Sequence, residues 1–295
     1  MLEHNDAKHT YASHDTSYKM ILREEAMPVA VKSLDAKRYA QTFAVFIERS
    51  HEYPAMNRRL VEVTNALPPN FTCLDVGAGT GKVLAEWLQA GGQKPGAYLA
   101  VEPNALHAPT LRDTCDALGV VSTVDERPFD EHFPIDSELD FALFSHCLYW
   151  PQHPAACVAH AYNALKPGGV LIAFLQGPYA IHSINHLFEP EFDRDQPSGP
   201  HHGFSSAELL RELRDIGLEA ELFLDPTPHD LSDLMESDNE QELNEYLSFC
   251  LQIEFAELSG YLREDILAYL KAACVEQDGK QLWYAPNATV MLKKA

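Results

Sequence analysis

The chain has 295 residues, 46% of them hydrophobic, and its 44 acidic against 22 basic side chains leave a formal net charge of −22. That length and apolar content support one large globular domain or a domain with a substantial insertion. The negative field argues against nucleic acid and anionic membrane surfaces and favours cationic small molecules, although acidity also serves solubility by itself.

The six cysteines, Cys73, Cys115, Cys147, Cys157, Cys250 and Cys274, show no CxxC spacing, and several sit in apolar runs, which fits a reducing, cytoplasmic compartment. No apolar run reaches membrane-spanning length, and the polar N-terminus has neither a signal-peptide core nor an Arg-rich targeting pattern. No internal repeat interrupts the reading.

Residues 1–35 mix polar and charged side chains with weak periodicity and read as an extension, partly disordered or able to close over a site. Tyr39, Phe43, Phe46 and Ile47 then recur at helical intervals, predicting an amphipathic helix with one aromatic face. A second helix is expected from Tyr53 to Ala66, stopped by Pro68-Pro69, so that residues 36–70 make a helical cap.

From Phe71 the pattern changes. FTCLDV, GKVLAEWLQA, GAYLAVE, ALHAPTLRDTCDALG and VVSTVD alternate between strand-like and helix-like segments, as a parallel sheet wrapped by helices requires. The alternation continues through ELDFALF, a helix near Pro154 to Leu165, a Lys166-Pro167-Gly168-Gly169 turn, VLIAFLQ, a helix near Ser205 to Ile216, and a strand near LEAELFL. ATVMLK reads as the last strand. The core is therefore expected over residues 71–225 and 285–295.

Residues 226–284, between the last two strands, read as helices, including QELNEYLSFCLQIEFAEL and REDILAYLKAACVEQ. Adjacent antiparallel strands are normally joined by a tight hairpin, so an insertion this long needs a purpose. Covering a substrate pocket is the natural one.

The strongest motif is Asp75-Val76-Gly77-Ala78-Gly79-Thr80-Gly81, between a predicted strand and a predicted helix. Its glycines permit a tight turn and close ligand approach at the C-terminal sheet edge, but the spacing is neither GxGxxG nor a phosphate loop. Glu102, at the end of the next strand, can accept hydrogen bonds from both hydroxyls of a ribose. Together they describe a nucleoside site without a phosphate cradle.

On these residues and Lys166-Pro167-Gly168-Gly169, residues 71 to about 176 resemble the class I S-adenosylmethionine (SAM) methyltransferases. The resemblance implies an α/β, Rossmann-like fold with a seven-stranded, mostly parallel sheet and SAM as cofactor. It puts Gly77 and Gly79 beneath the methionine part and has Asp75 orient the loop and the amino group. Glu102 falls on the ribose, Asp125 or Glu126 on the adenine, and Ser145 and His146 face the sulfonium and the acceptor.

A narrower resemblance spans about residues 36–295. Lys37-Arg38-Tyr39, Phe43, Phe46, Glu52, Val101-Glu102-Pro103 and Leu148-Tyr149-Trp150 occur in the order found in the histamine N-methyltransferase family. It implies that Glu52 and Asn287 hold the acceptor between aromatic walls of Tyr39, Phe43, Tyr149, Trp150 and Tyr246, a box suited to a flat or cationic amine. The alternatives are that Tyr39 and Phe43 seal a core and that Glu52 is a solvated surface acid.

The chain departs from that family in having His146 where the family has glutamine, and in lacking tryptophans in GPYAIHSINHLF. His146 and Tyr149 are the candidates for contact with the reacting atom, and a partner is expected to be a small cationic or heteroaromatic acceptor. His182 and His186, four apart with Glu189 nearby, lack further ligands for a metal site, and none is expected. An O- or carboxyl-methyltransferase and a non-catalytic SAM-binding protein are the competing readings of the same fold.

Overall fold

The computed structural model describes residues 27–195, 203–258 and 260–295; residues 1–26, most of the expected N-terminal extension, lie outside the described residues. Strand β1 (Val29–Val31) and helices α1 (Ala36–Arg49) and α2 (Glu52–Thr64) come first. They are followed by β2 (Thr72–Val76), α3 (Lys82–Gln89), β3 (Ala97–Val101), α4 (Ala108–Leu118), β4 (Ser122–Asp125), β5 (Leu139–Ser145), α5 (Pro154–Asn163) and β6 (Leu165–Gln176). Next come α6 (Ile181–Phe188), β7 (Phe192–Arg194), α7 (Ser206–Asp215), β8 (Glu221–Asp225) and β9 (Pro228–Asp230). Helices α8 (Glu240–Leu251) and α9 (Gly260–Ala273) lead to β10 (Val275–Gln277), β11 (Lys280–Tyr284) and β12 (Asn287–Lys293).

Seven strands form one sheet in the order β4-β3-β2-β5-β6-β12-β8. Pairings from β4 through to β6 are parallel, while β12 runs antiparallel to β6 and β8, giving the mostly parallel sheet that the sequence pattern predicts. Parallel strands covered on both faces need continuous apolar runs, and β5 supplies one in Phe141, Ala142, Leu143 and Phe144, all buried. One face packs on Met56 and Leu60 of α2, Leu84 and Trp87 of α3, and Leu111 and Cys115 of α4. The other packs on Val158 and Ala161 of α5 and Leu209 and Leu213 of α7.

A further core lies outside the sheet. Phe46 of α1, Ile184 of α6, Tyr246, Leu247 and Leu251 of α8, Ile266 and Leu270 of α9, and Trp283 of β11 are buried together. Full burial of such side chains contributes about 1.5–3 kcal/mol each, against about 0–1 kcal/mol for an exposed ion pair, so apolar packing holds this unit together. Ion pairs set its register: Arg38 donates to Glu245 and Glu254, both at 2.9 Å, and Arg49 to Asp233 at 2.7 Å and to Glu242. Helix α1 is thereby fastened to the insertion near both of its ends.

Two expectations need correction. The insertion contains α8 and α9 but also a three-stranded antiparallel sheet, β10-β11-β9. Asp278 and Gly279 both have positive φ (53° and 75°), as a two-residue hairpin turn between Gln277 and Lys280 requires. The helix predicted through Gln277 therefore stops at Ala273. Lys166-Pro167-Gly168-Gly169 is not a separate turn but the irregular start of β6, where the register with β5 shifts and Gly168 sits at φ 82°.

Among the described residues no helix is long and apolar enough to cross a membrane, and no group of three or more His, Cys, Asp or Glu side chains is arranged to hold a metal ion. The rings of His182 and His186 stack at 6.2 Å, while Glu189 is taken by Arg194.

Candidate active site

The loop after β2 turns on Gly77, Gly79 and Gly81, all left-handed, for different reasons. A Cβ on Gly77 would lie 2.4 Å from Cβ of Cys147, and one on Gly81 3.0 Å from Thr114 Cγ2. Packing therefore excludes a side chain at Gly77, while at Gly81 the contact is tight and the left-handed backbone, φ 80°, itself favours glycine. A Cβ on Gly79 would meet nothing within 4 Å, so Gly79 alone presents bare backbone to open space. The sequence reading did not separate the two.

Loop and acid are one unit. The backbone N–H groups of Gly77 and Ala78 donate to the carbonyl of Val101 at the end of β3. Gly79 N donates to Glu102 Oε2 at 2.7 Å and Asn104 N to Oε1 at 2.9 Å. Each oxygen of this buried carboxylate keeps a further lone pair, so it can still accept from a vicinal diol.

Beneath them Asp75 is buried, accepts a 2.5 Å hydrogen bond from the Tyr98 hydroxyl on Oδ2, and has no hydrogen-bond partner for Oδ1 among the described residues. Burial pushes its carboxyl up to about 7; the Tyr98 bond opposes this and the charge of Glu102 adds to it.

Asp125 accepts from Arg127 Nη2 at 2.6 Å, and this guanidinium holds its carboxyl below the usual range. Glu126 accepts from Arg112 at 2.6 Å. The carbonyl of Asp125 also accepts from Glu102 N at 2.9 Å, which ties Asp125 rather than Glu126 to the ribose-type acid.

Across the sheet edge, β5 ends at the half-buried Ser145, and His146 follows at φ 51°. The Tyr149 hydroxyl accepts from Gln176 N at 2.7 Å and stands 3.4 Å from His146 Nδ1. The other ring nitrogen, Nε2, has no hydrogen-bond partner among the described residues and lies 3.8 Å from Glu52 Oε2. Glu52 is no solvated surface acid: its side chain is 14% exposed. Burial, with a smaller contribution from the Glu52 charge, pushes the Tyr39 phenol up to about 12 and those of Tyr53 and Tyr149 higher still.

Tyr39 stacks on Phe43 with centroids at 6.3 Å and meets Trp150 edge-on at 6.2 Å. Trp150 is 59% exposed, a large apolar ring at the rim. In the β12–β6 ladder Asn287 lies opposite Gln176; it is 2% exposed, yet neither amide atom has a partner among the described residues. An unsatisfied buried amide costs about 1–3 kcal/mol, a penalty that a ligand can relieve.

Contacts thus bring together Tyr39, Phe43, Glu52, His146, Tyr149 and Trp150, with Asn287 joined through Gln176. Tyr246 does not belong with them. It is fully buried, its hydroxyl 2.7 Å from His229 Nδ1 and its ring stacked on Phe46, so it seals the cap core rather than walling a pocket.

Sequence reasoning missed four participants. Tyr53 lies beside Glu52 with the Lys82 ammonium 4.3 Å above its ring. Phe249 packs on Tyr39, Phe43 and Phe46 at 5.6, 5.4 and 4.4 Å. Gln176 fixes Tyr149 through its backbone, and Cys147 fills the space at Gly77. Only Tyr53 carried a signal, its position next to a candidate acid at a helix start.

A family model described as a methyltransferase domain matches residues 47–222. Among solved structures, a candidate methyltransferase from Bacillus halodurans superposes with TM-score 0.53 at 17% identity, over 81% of this chain and 98% of that one. The YcgJ protein of Bacillus subtilis gives 0.51 at 13%, over 81% and 98%. A candidate methyltransferase in complex with the Haloferax volcanii Trm112 activator gives 0.50 at 17%, over 87% and 94%. No curated protein sequence matches the chain.

The open backbone at Gly79, the lone pairs left on the Glu102 carboxylate and Asp75 Oδ1, which has no partner among the described residues, fit SAM, the methyl donor that this family uses. The family match over residues 47–222, on a fold shared with these structures, makes the chain a member of the methyltransferase domain family.

Proposed function

We propose that the protein methylates a nitrogen of a small amine or imidazole compound, in the manner of the histamine N-methyltransferases. The observation that carries this is Glu52, a largely buried carboxylate close to His146 and to the aromatic group of Tyr39, Phe43, Tyr149 and Trp150. Ring faces and a buried anion attract a cation, and an anionic acceptor would be repelled. The Asn287 amide, without a partner among the described residues, supports a polar contact to the same molecule.

In this reading Gly79, Glu102 and Asp75, with Asp125 beside them, hold the donor, and bound SAM supplies an electrophilic methyl group. The chain's own task is placement: the strand-end residues Ser145 and His146 border donor and acceptor, while the cap excludes water. No acid is needed for a neutral thioether leaving group.

Transfer of labelled methyl groups from SAM, measured across amines, phenols and carboxylic acids, tests the assignment. Label is expected in amines or imidazoles. Label only in acids or phenols would favour the O-methylating alternative, and cofactor binding with no transfer would favour a regulatory protein.

A further inference from the structure

We propose that Tyr149, His146 and Glu52 form a proton relay that deprotonates the acceptor, so that the acceptor is a protonated alkylamine rather than an imidazole. The proposal rests on the amine reading above and goes beyond it in naming how the nitrogen is made nucleophilic. An alkylammonium with pKa near 10 has no free lone pair at neutral pH, whereas an imidazole near 6.5 already has one. A site built only for imidazoles needs no base.

The hydrogen-bond directions define the relay. Gln176 N–H donates to the Tyr149 oxygen at 2.7 Å, so the phenol's own hydrogen is free to point elsewhere. The neighbour that can accept it is His146 Nδ1 at 3.4 Å. With Nδ1 accepting, the imidazole hydrogen sits on Nε2, which is shielded from solvent and 3.8 Å from the Glu52 carboxylate. These separations are long, as catalytic hydrogen bonds often are before a substrate closes the site. The positive φ of His146, 51°, is uncommon for a side-chain-bearing residue and marks a sharp departure of the backbone from the strand.

Among the titratable groups around the relay, none but His146 is placed to take up the proton. Tyr39 of α1, Tyr53 of α2 and Tyr149 and Cys147 of the loop itself are all held protonated by burial. Beyond Tyr53 lie Lys82 and Glu86 of α3. In the transfer, the N–H bond of the ammonium breaks and its proton bonds to the Tyr149 oxygen while the Tyr149 hydroxyl proton passes to His146 Nδ1. The nitrogen keeps the electron pair, and His146 becomes an imidazolium facing Glu52. No buried phenolate forms, and one positive charge moves along the relay without changing the charge of the site.

Two measurements on the full chain test this. Nitrogen-15 NMR of ring-labelled histidine, with His146 assigned from the spectrum of His146→Asn, is expected to show the Nε2–H tautomer. An Nδ1–H tautomer would overturn the relay, because Nδ1 could not then take the Tyr149 proton. In kinetics, Tyr149→Phe, which keeps the ring, and His146→Asn should each lower kcat for an alkylamine on the order of 100-fold at neutral pH with little change in KM. An arylamine, neutral at that pH, should lose only a few-fold, and raising the pH should restore alkylamine turnover. Equal losses on both acceptors at every pH, in an enzyme that does methylate amines, would overturn the relay alone. Transfer by the wild type to no amine at all would overturn the amine reading beneath it, and the acceptor assignment with it.

Discussion

Replacing Asp75 with asparagine should make the protein's stability less dependent on pH, and the size of the change follows from the site. The native carboxyl is raised from 3.8 to about 7, chiefly by burial. A carboxyl whose folded pKa is raised binds a proton more tightly folded than unfolded. Its contribution to stability is therefore complete below the unfolded pKa and is lost as pH rises through the folded one. Between about pH 5 and about pH 8 the wild type should lose about 3 kcal/mol from this residue alone. Asparagine cannot titrate, but it leaves an amide hydrogen unpaired where Oδ1 now lies, at a cost of about 1–3 kcal/mol that is the same at both pH values. The assay is denaturant unfolding of both proteins at both pH values, read as the stability difference between them. That difference should shift by about 3 kcal/mol in favour of the variant at the higher pH. A difference that does not move with pH would show that Asp75 is ionised throughout and that burial does not govern it.

Glu102→Ala should weaken SAM binding by roughly ten- to a hundredfold in calorimetry, since a hydrogen bond to a charged group is worth about 1.5–3 kcal/mol. Unchanged affinity in a folded variant would remove Glu102 from the donor site. Gly79→Val should nearly abolish cofactor binding with native-like circular dichroism, whereas Gly77→Ala should instead lower the unfolding temperature, because its Cβ would lie 2.4 Å from Cβ of Cys147. The opposite pattern would refute the division between an open and a packed glycine. Glu52→Gln should weaken acceptor binding by about 1–3 kcal/mol while leaving SAM affinity near wild type, and Asn287→Ala should act alike, with non-additive losses in the double variant. Wild-type acceptor dependence in Glu52→Gln would count against the amine pocket.

What the sequence made legible is what local physics enforces. The apolar runs FTCLDV and FALF, short and bounded by turn residues, read as strands covered on both faces, and the acid-glycine loop followed by Glu102 marks the edge where such a sheet binds ligands. The Asp278-Gly279 pair is a local turn signal too, but the helical periodicity of the preceding residues runs on to Gln277, four positions past the helix end at Ala273, and hides it. The acceptor side was less legible because its geometry comes from contacts between distant segments. Nothing local distinguishes Tyr246, buried against His229, from Tyr39, which meets Trp150. Nor does anything in NATVMLK reveal that Asn287 has a buried amide with no partner among the described residues.

The two halves of the site also differ in when they can exist. The proposed donor half, from Asp75 to Asp125, is built from strands close together in sequence, and β5 with Cys147 completes it soon afterwards. Helix α1 must wait, because Arg38 is anchored by residues 207 and 216 positions later, and Phe46 packs on Tyr246 and Phe249 of α8. On a ribosome adding about 5–20 residues per second, its aromatic face stays uncovered for at least about 10 seconds. During that interval the proposed donor residues would stand without the proposed acceptor side, and the aromatic face of α1 would be the surface most in need of protection.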